Sequence, residues 1–189
     1  MKVLIFDFET GGLDFKKHSP LEIGACVANI DTGEILETFE TLIKLPEYVV
    51  EQQALDKNGL SIADCQAKGI EPQAIGEKLM DMWTNHGCFL VGGQNLHFDI
   101  RFAAHWLFKV EPHEFEKIFT YRYLDTYPMI QLLLGLDKGP PGTSLKQAVS
   151  FFKIDMKEVK GGYHRALYDV IATAKLLHKF RQLLGTKIS

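Results

Sequence analysis

At 189 residues, 46% apolar and 24% charged, the chain is long enough to bury a full hydrophobic core and too balanced in composition to be disordered. A formal net charge of −3 argues against a protein that coats nucleic acid by charge alone, although acids gathered around cations also make a chain acidic on paper. Cys26, Cys65 and Cys88 are odd in number and far apart, which argues against a disulfide framework or a zinc knuckle and for reduced thiols in a cytoplasmic setting.

Residues 2–8 form an apolar, β-rich run of the kind buried on both faces of a sheet. The run is too short for a signal peptide, and no apolar stretch reaches the length of a membrane span. Residues 22–30 and 34–44 read as two more strands, with Asp31-Thr32-Gly33 as a hairpin turn between them. Residues 45–72, broken by Pro46, Gly59, Gly69 and Pro72, read as loops with short helices. Pro72 suits the first turn of a helix to about Asn85, with Ile75, Leu79 and Met82 on its apolar face. A short strand is expected at 88–91, a helix over 99–108, a last strand at 121–125 and a helix over 128–134. The stretch 138–142 must be a loop, Thr143 or Ser144 caps a helix to about Phe152, and a final helix runs from Ala166 to about Leu184. Antiparallel strands first, then strands alternating with helices, indicate one α/β domain, 1–189, with a mixed sheet.

Asp7 and Glu9 close the first strand. Residues two apart share a strand face, so their carboxylates should lie roughly 7 Å apart. Two like charges beside an apolar run repel and lose hydration, and a divalent cation with a taste for hard oxygen, Mg²⁺ or Mn²⁺, relieves both problems. Solvated acids at a strand end are the plain alternative. Thr10-Gly11-Gly12-Leu13 follows, and glycines after a strand let a ligand approach the backbone closely.

Asn95 and Asp99 sit where a buried strand gives way to a helix, and Asp99 there could equally be a helix cap. Asp169 falls one turn into the last helix, on a face shared with Ala172, Thr173 and Leu176, where a carboxylate needs a partner. His164 stands on the loop five residues earlier; an ordinary imidazole pKa near 6.5 suits a general base, though a surface histidine is the commoner finding. No single residue here is specific. The ordered set of four acids and one histidine is.

That set resembles the DEDDh, or DnaQ-like, exonucleases of the ribonuclease H-like superfamily. Asp7-Phe8-Glu9-Thr10-Gly11-Gly12-Leu13 is similar to the family's first motif, Asn95 to Asp99 with Phe102 to its second, and His164 with Asp169 to its third. Asp125-Thr126 and the run from Ala54 to Leu60 are also similar to family features, while Gln94 replaces a histidine common before the second-motif asparagine. The resemblance implies a ribonuclease H-like fold with a five-stranded mixed sheet flanked by helices. It implies a 3′→5′ exonuclease in which Asp7, Glu9, Asp99 and Asp169 hold two Mg²⁺ or Mn²⁺ ions and His164 takes a proton from the attacking water. Nucleoside 5′-monophosphates would leave from the free 3′ end of DNA or RNA, with a single strand as the expected substrate. Thr10 and Gly11 would contact the terminal sugar, Leu13 would wedge against its base, and Asn95 and Phe102 would border the pocket. Phe98 reads better as core, and Arg101, Lys160 and Arg165 as surface charges.

Three other readings compete: a ribonuclease H-like endonuclease, a non-catalytic binding module on the same fold, and a polymerase's proofreading partner. No acid of the set is missing, and no tail for docking a polymerase is evident past the last helix, so a stand-alone or homodimeric enzyme is expected.

Overall fold

A computed structural model describes residues 1–136 and 139–185. Its centre is a five-stranded sheet made of β1 (Lys2–Thr10), β2 (Pro20–Asn29), β3 (Glu34–Leu42), β4 (Leu90–Gly93) and β5 (Tyr123–Asp125), in the order β3-β2-β1-β4-β5. The first three strands are antiparallel, and β4 and β5 add on in parallel, so the mixed sheet expected from the sequence is present.

β1 lies in the middle and explains its own composition. Leu4, Phe6 and Phe8 point into the larger core cluster, beneath α3 (Pro72–His86) and α4 (Leu96–Phe102). Val3 and Ile5 point to the other face, which α8 (Ala166–Gly185) covers with Val170, Ala174 and Leu177. Period-two alternation therefore sends Asp7 and Glu9 to the face that α8 covers. Between β3 and α3 lie two short helices, α1 (Gln52–Asn58) and α2 (Ile62–Lys68). Beyond α4 come α5 (Phe115–Ile118), α6 (Thr126–Gly135) and α7 (Leu145–Phe151), the last capped by Ser144.

Among the boundaries that differ from the sequence reading, two bear on the site. β4 starts two residues late and takes in Gly92 and Gly93, which pair with Leu124 and Asp125. A Cβ at Gly92 would meet Val3 Cγ1 at 3.0 Å and Ile5 Cγ1 at 3.1 Å, so glycine here answers crowding from β1 and does not end the strand. The helix expected over 99–108 is α4 followed by a π-helical turn, Ala103–Phe108, within which Trp106 donates its indole N–H to Phe15 O at 2.9 Å. The loop expected at 138–142 has no regular structure over 139–142; Lys138 lies outside the described residues, as does the tail beyond Gly185.

Candidate active site

A pocket of about 510 Å³ opens at the carboxyl end of β1 and is lined by Asp7, Glu9, Asp99, His164 and Asp169 among others. Asp7 and Glu9 come from β1, where they pair in register with Gly24 and Glu22 of β2. Gly24 sets the depth of the site. A Cβ there would lie 2.3 Å from Leu167 N and 2.4 Å from Ala166 C, so only glycine lets the start of α8 rest on the sheet. That contact brings Asp169, in the first turn of α8, over the β1 carboxylates.

α4 supplies Asp99. Asn95 takes the N-cap position in the left-handed region (φ 58°), and Asp99 lies inside the first turn. The capping role that the sequence allowed for Asp99 is therefore not what the structure shows. Its Oδ1 accepts the backbone N–H of Phe8 at 2.9 Å, and only 2% of the residue is exposed. The acid is thus fastened to β1 between Asp7 and Glu9. The start of α4 is held instead by Asp125, whose two carboxylate oxygens accept from Asn95 N and Leu96 N, both at 2.9 Å.

His164 occupies a left-handed turn (φ 71°) before α8, and its backbone N–H donates to Asp169 Oδ2 at 3.2 Å. Glu9, His164 and Asp169 each place one ligand atom within 4.8 Å of the others. At that spacing the imidazole can meet either a cation or a water beside one.

The electrostatics show what the cluster lacks. Burial, then the charges of Asp99, Glu9 and Asp169, holds the Asp7 carboxyl well above the usual carboxylate range. Burial raises Asp99 too, against the pull of the Phe8 N–H. Glu9 is pushed up to about 7, first by burial and then by Asp169 and Glu22, with Lys57 and Arg165 opposing. Burial pushes Asp169 up to about 6. Its Oδ1 is buried and has no hydrogen-bond partner among the described residues. Crowded acids, an orphaned carboxylate oxygen and a set of hard donors fit divalent cations of the Mg²⁺ or Mn²⁺ kind. His164 is drawn below its ordinary pKa by burial and by the nearby Lys57 and Lys146, which favours the neutral ring.

The remaining walls correct several expectations. Leu13 is 82% exposed at the rim, and Thr10 and Asn95 line the pocket. Gly11 does not line it: its N–H donates to Ser19 O, its carbonyl accepts from Glu51 N, and a Cβ would meet Val50 Cγ1 at 2.5 Å. Gly11 is committed to packing the loop, and Gly12 is the glycine that faces the pocket. Phe102 is fully buried in the core, packed tilted against Phe98 and Phe8, while Phe98 is the ring that reaches the pocket wall. For these two phenylalanines, four apart, the structure reverses the expectation. Arg165 is not a free surface charge: it grips the buried Glu22 through Nε at 3.1 Å and Nη2 at 2.6 Å.

The sequence also missed α1 as a wall. Gln53, Ala54, Lys57 and Asn58 line the pocket, and Asn58 Nδ2 donates to Thr10 O at 3.3 Å. The resemblance over residues 54–60 was the available signal, but no role attached to it. Gln94, where the family often has histidine, accepts from Thr126 Oγ1 and donates through Nε2 to Thr143 O at 3.1 Å, bridging β4 to the loop before α7.

Comparisons with known proteins bear on the family and the fold. The profile of the exonuclease family of the RNase T type matches residues 4–177. The PolC-type DNA polymerase III of Thermotoga maritima is 28% identical over 181 residues, covering 96% of this chain and 12% of that protein. Its counterpart in Oceanobacillus iheyensis is 27% identical over 184 residues, with 97% and 12% covered. The chain thus spans about an eighth of the length of these relatives. Among solved structures, E. coli Exonuclease I in complex with a dT13 oligonucleotide superposes with a TM-score of 0.79 at 18% identity, covering 98% of this chain and 43% of that one. The zinc-bound form of the E. coli ExoI–ssDNA complex gives 0.78 at 19% identity, with 97% and 41% covered. With a family match over nearly its whole length and a ribonuclease H-like fold, the chain belongs to the exonuclease family, as an exonuclease domain of the DnaQ-like 3′→5′ type.

Proposed function

We propose that residues 1–189 form one exonuclease domain that removes nucleotides singly from the free 3′ end of a single strand, with DNA as the first substrate to test. The convergence of Asp7, Glu9, Asp99 and Asp169 in one pocket, with Asp169 Oδ1 lacking a partner, carries this reading. The solved Exonuclease I complexes with oligonucleotides and the polymerase relatives support DNA as the substrate class. Three buried free thiols support a reducing, cytoplasmic setting.

In this reading the four carboxylates would hold two Mg²⁺ or Mn²⁺ ions. Such ions, when bound, supply positive charge for the phosphate oxygens and ease ionisation of a water. The chain's own groups do the rest. Leu13 wedges against the terminal base, and Phe98 walls the sugar and base side. Neutral His164 accepts a proton from water as the water oxygen attacks the terminal phosphorus. The new P–O bond forms while the bond to the 3′ oxygen of the preceding nucleotide breaks, and that oxygen leaves to be protonated from solvent. The products are a nucleoside 5′-monophosphate and a strand one unit shorter.

Digestion of matched 5′-labelled single-stranded DNA, single-stranded RNA and 3′-mismatched duplex, with Mn²⁺ or with chelator, tests the reading. A ladder shortening by single nucleotides from the 3′ end, abolished by chelator, is expected. An internal cut, or digestion indifferent to chelator, would overturn it.

A further inference from the structure

Beside the pocket, on the far side of the turn that carries His164, runs a groove of about 680 Å³ whose walls include Lys146, Lys153, Lys157, Tyr163 and Tyr168. Tyr163 immediately precedes His164, and Tyr168 immediately precedes Asp169. The groove and the pocket are therefore two sides of one short segment. Tyr163 and Tyr168 meet edge to face at 5.0 Å, and Lys146 Nζ stands 5.8 Å from the Tyr163 ring centre. The three lysines are exposed, and none makes an ion pair among the described residues. Asp155 is the acid of the wall, its Oδ1 accepting Lys157 N at 3.0 Å, so the lysines outnumber the acids there by three to one.

In a chain of net charge −3, three unpaired lysines beside two tyrosine rings are a local excess that solubility does not explain. Lysines along a groove with aromatic faces suit a single strand, whose phosphates take the charge and whose bases stack without sequence preference. The other groove near the site, past the Leu13 loop, offers Lys16 and Arg101 but balances them with Glu111 and Glu116. Charge therefore selects between the two. We propose that the lysine–tyrosine groove carries the phosphate backbone of the substrate strand on the 5′ side of the cleaved bond. This rests on the exonuclease reading, because only a pocket that takes a 3′ end leaves the 5′ portion of the strand outside.

The double substitution Lys153→Gln/Lys157→Gln tests the groove away from the reacting groups. Binding is read by anisotropy of a 5′-labelled oligothymidylate of about twelve nucleotides, in Ca²⁺, across a salt series. Each lost phosphate contact should flatten the plot of log affinity against log salt by about 0.7, so two should flatten it by about 1.4. Affinity at low salt should fall about tenfold, with Lys153→Arg/Lys157→Arg restoring it. Hydrolysis of the p-nitrophenyl ester of thymidine 5′-monophosphate, too small to reach the groove, reads the catalytic pocket separately. A loss on the long strand exceeding the loss on the ester supports the groove. An unchanged salt slope and affinity for the long strand overturns it, even where ester and strand are both still hydrolysed. If the unsubstituted protein binds the strand with the lysine-dependent slope but cleaves nothing, the exonuclease reading falls and takes the 5′-side assignment with it, whereas cleavage with a lysine-independent slope overturns the groove alone.

Discussion

Glu22 is held by Arg165. The carboxylate, 1% exposed and opposite Glu9 in the β1–β2 register, accepts from Arg165 Nε and Nη2 and from the backbone N–H of Ala166 at 3.0 Å. A buried acid on the strand next to the one that carries Asp7 and Glu9 thus anchors the first residue of α8, and through it the position of Asp169. Glu22→Ala is expected to cost about 1.5–3 kcal/mol, the range for hydrogen bonds to a charged group, and to lower turnover more than substrate affinity. Thermal melting together with kcat and KM measures both. An unchanged melting temperature would mean that the start of α8 is held by packing alone.

Gly24 is expected to be as intolerant. Gly24→Ala forces a methyl into the backbone of Ala166 and Leu167, a clash with main chain that side-chain rotation cannot relieve. Overpacking of this kind costs about 1–3 kcal/mol. Because the displaced element carries Asp169, cleavage should fall by at least an order of magnitude in protein that remains folded, as single-turnover rates would show.

The acids make the metal-free protein sensitive to pH. Glu9 and Asp169 are raised to about 7 and about 6, so the folded state holds protons that the unfolded chain has released. This contribution favours folding fully at acid pH and is lost as pH rises through the window from about 4 to about 7. The melting temperature in chelator should therefore drop by several degrees from pH 5 to pH 8. Mn²⁺ should restore it, with a larger gain at pH 8. A metal-free melting temperature flat over this range would contradict the electrostatic picture.

Phe98 and Phe102 should separate cleanly. Phe102→Ala empties a fully buried site and is expected to cost about 3–5 kcal/mol. Phe98→Ala opens the pocket wall and should raise KM several-fold with a smaller loss of stability. Sequence spacing could not tell them apart, since both fall on the inner side of one helix; what decides is the start of α4 at Leu96, set by the Asp125 carboxylate thirty residues away.

The same distinction runs through the rest of the site. Strand periodicity placed Asp7 and Glu9 on one face, and helical spacing turned Asp169 inward, because each depends only on local geometry. The apolar content of residues 2–8 announced a strand buried on both faces for the same reason. Partners far apart in sequence were not legible. Nothing near Arg165 points to Glu22, nor anything near Asn58 to the Thr10 carbonyl. Gly11 looked like a ligand-facing glycine because the reason for it, the Val49–Val50 backbone folded against it, lies nearly forty residues on. Lys57 needed the tertiary fold to bring α1 across the mouth of the pocket.

Calorimetric titration of Mn²⁺ into the chelator-stripped protein at about pH 7.5 tests the central claim most directly. Two ions per chain are expected for the unsubstituted protein, with proton release as the raised carboxyls ionise, and weakened, incomplete binding for Asp7→Asn. No saturable binding, or binding indifferent to Asp7→Asn, would contradict the account.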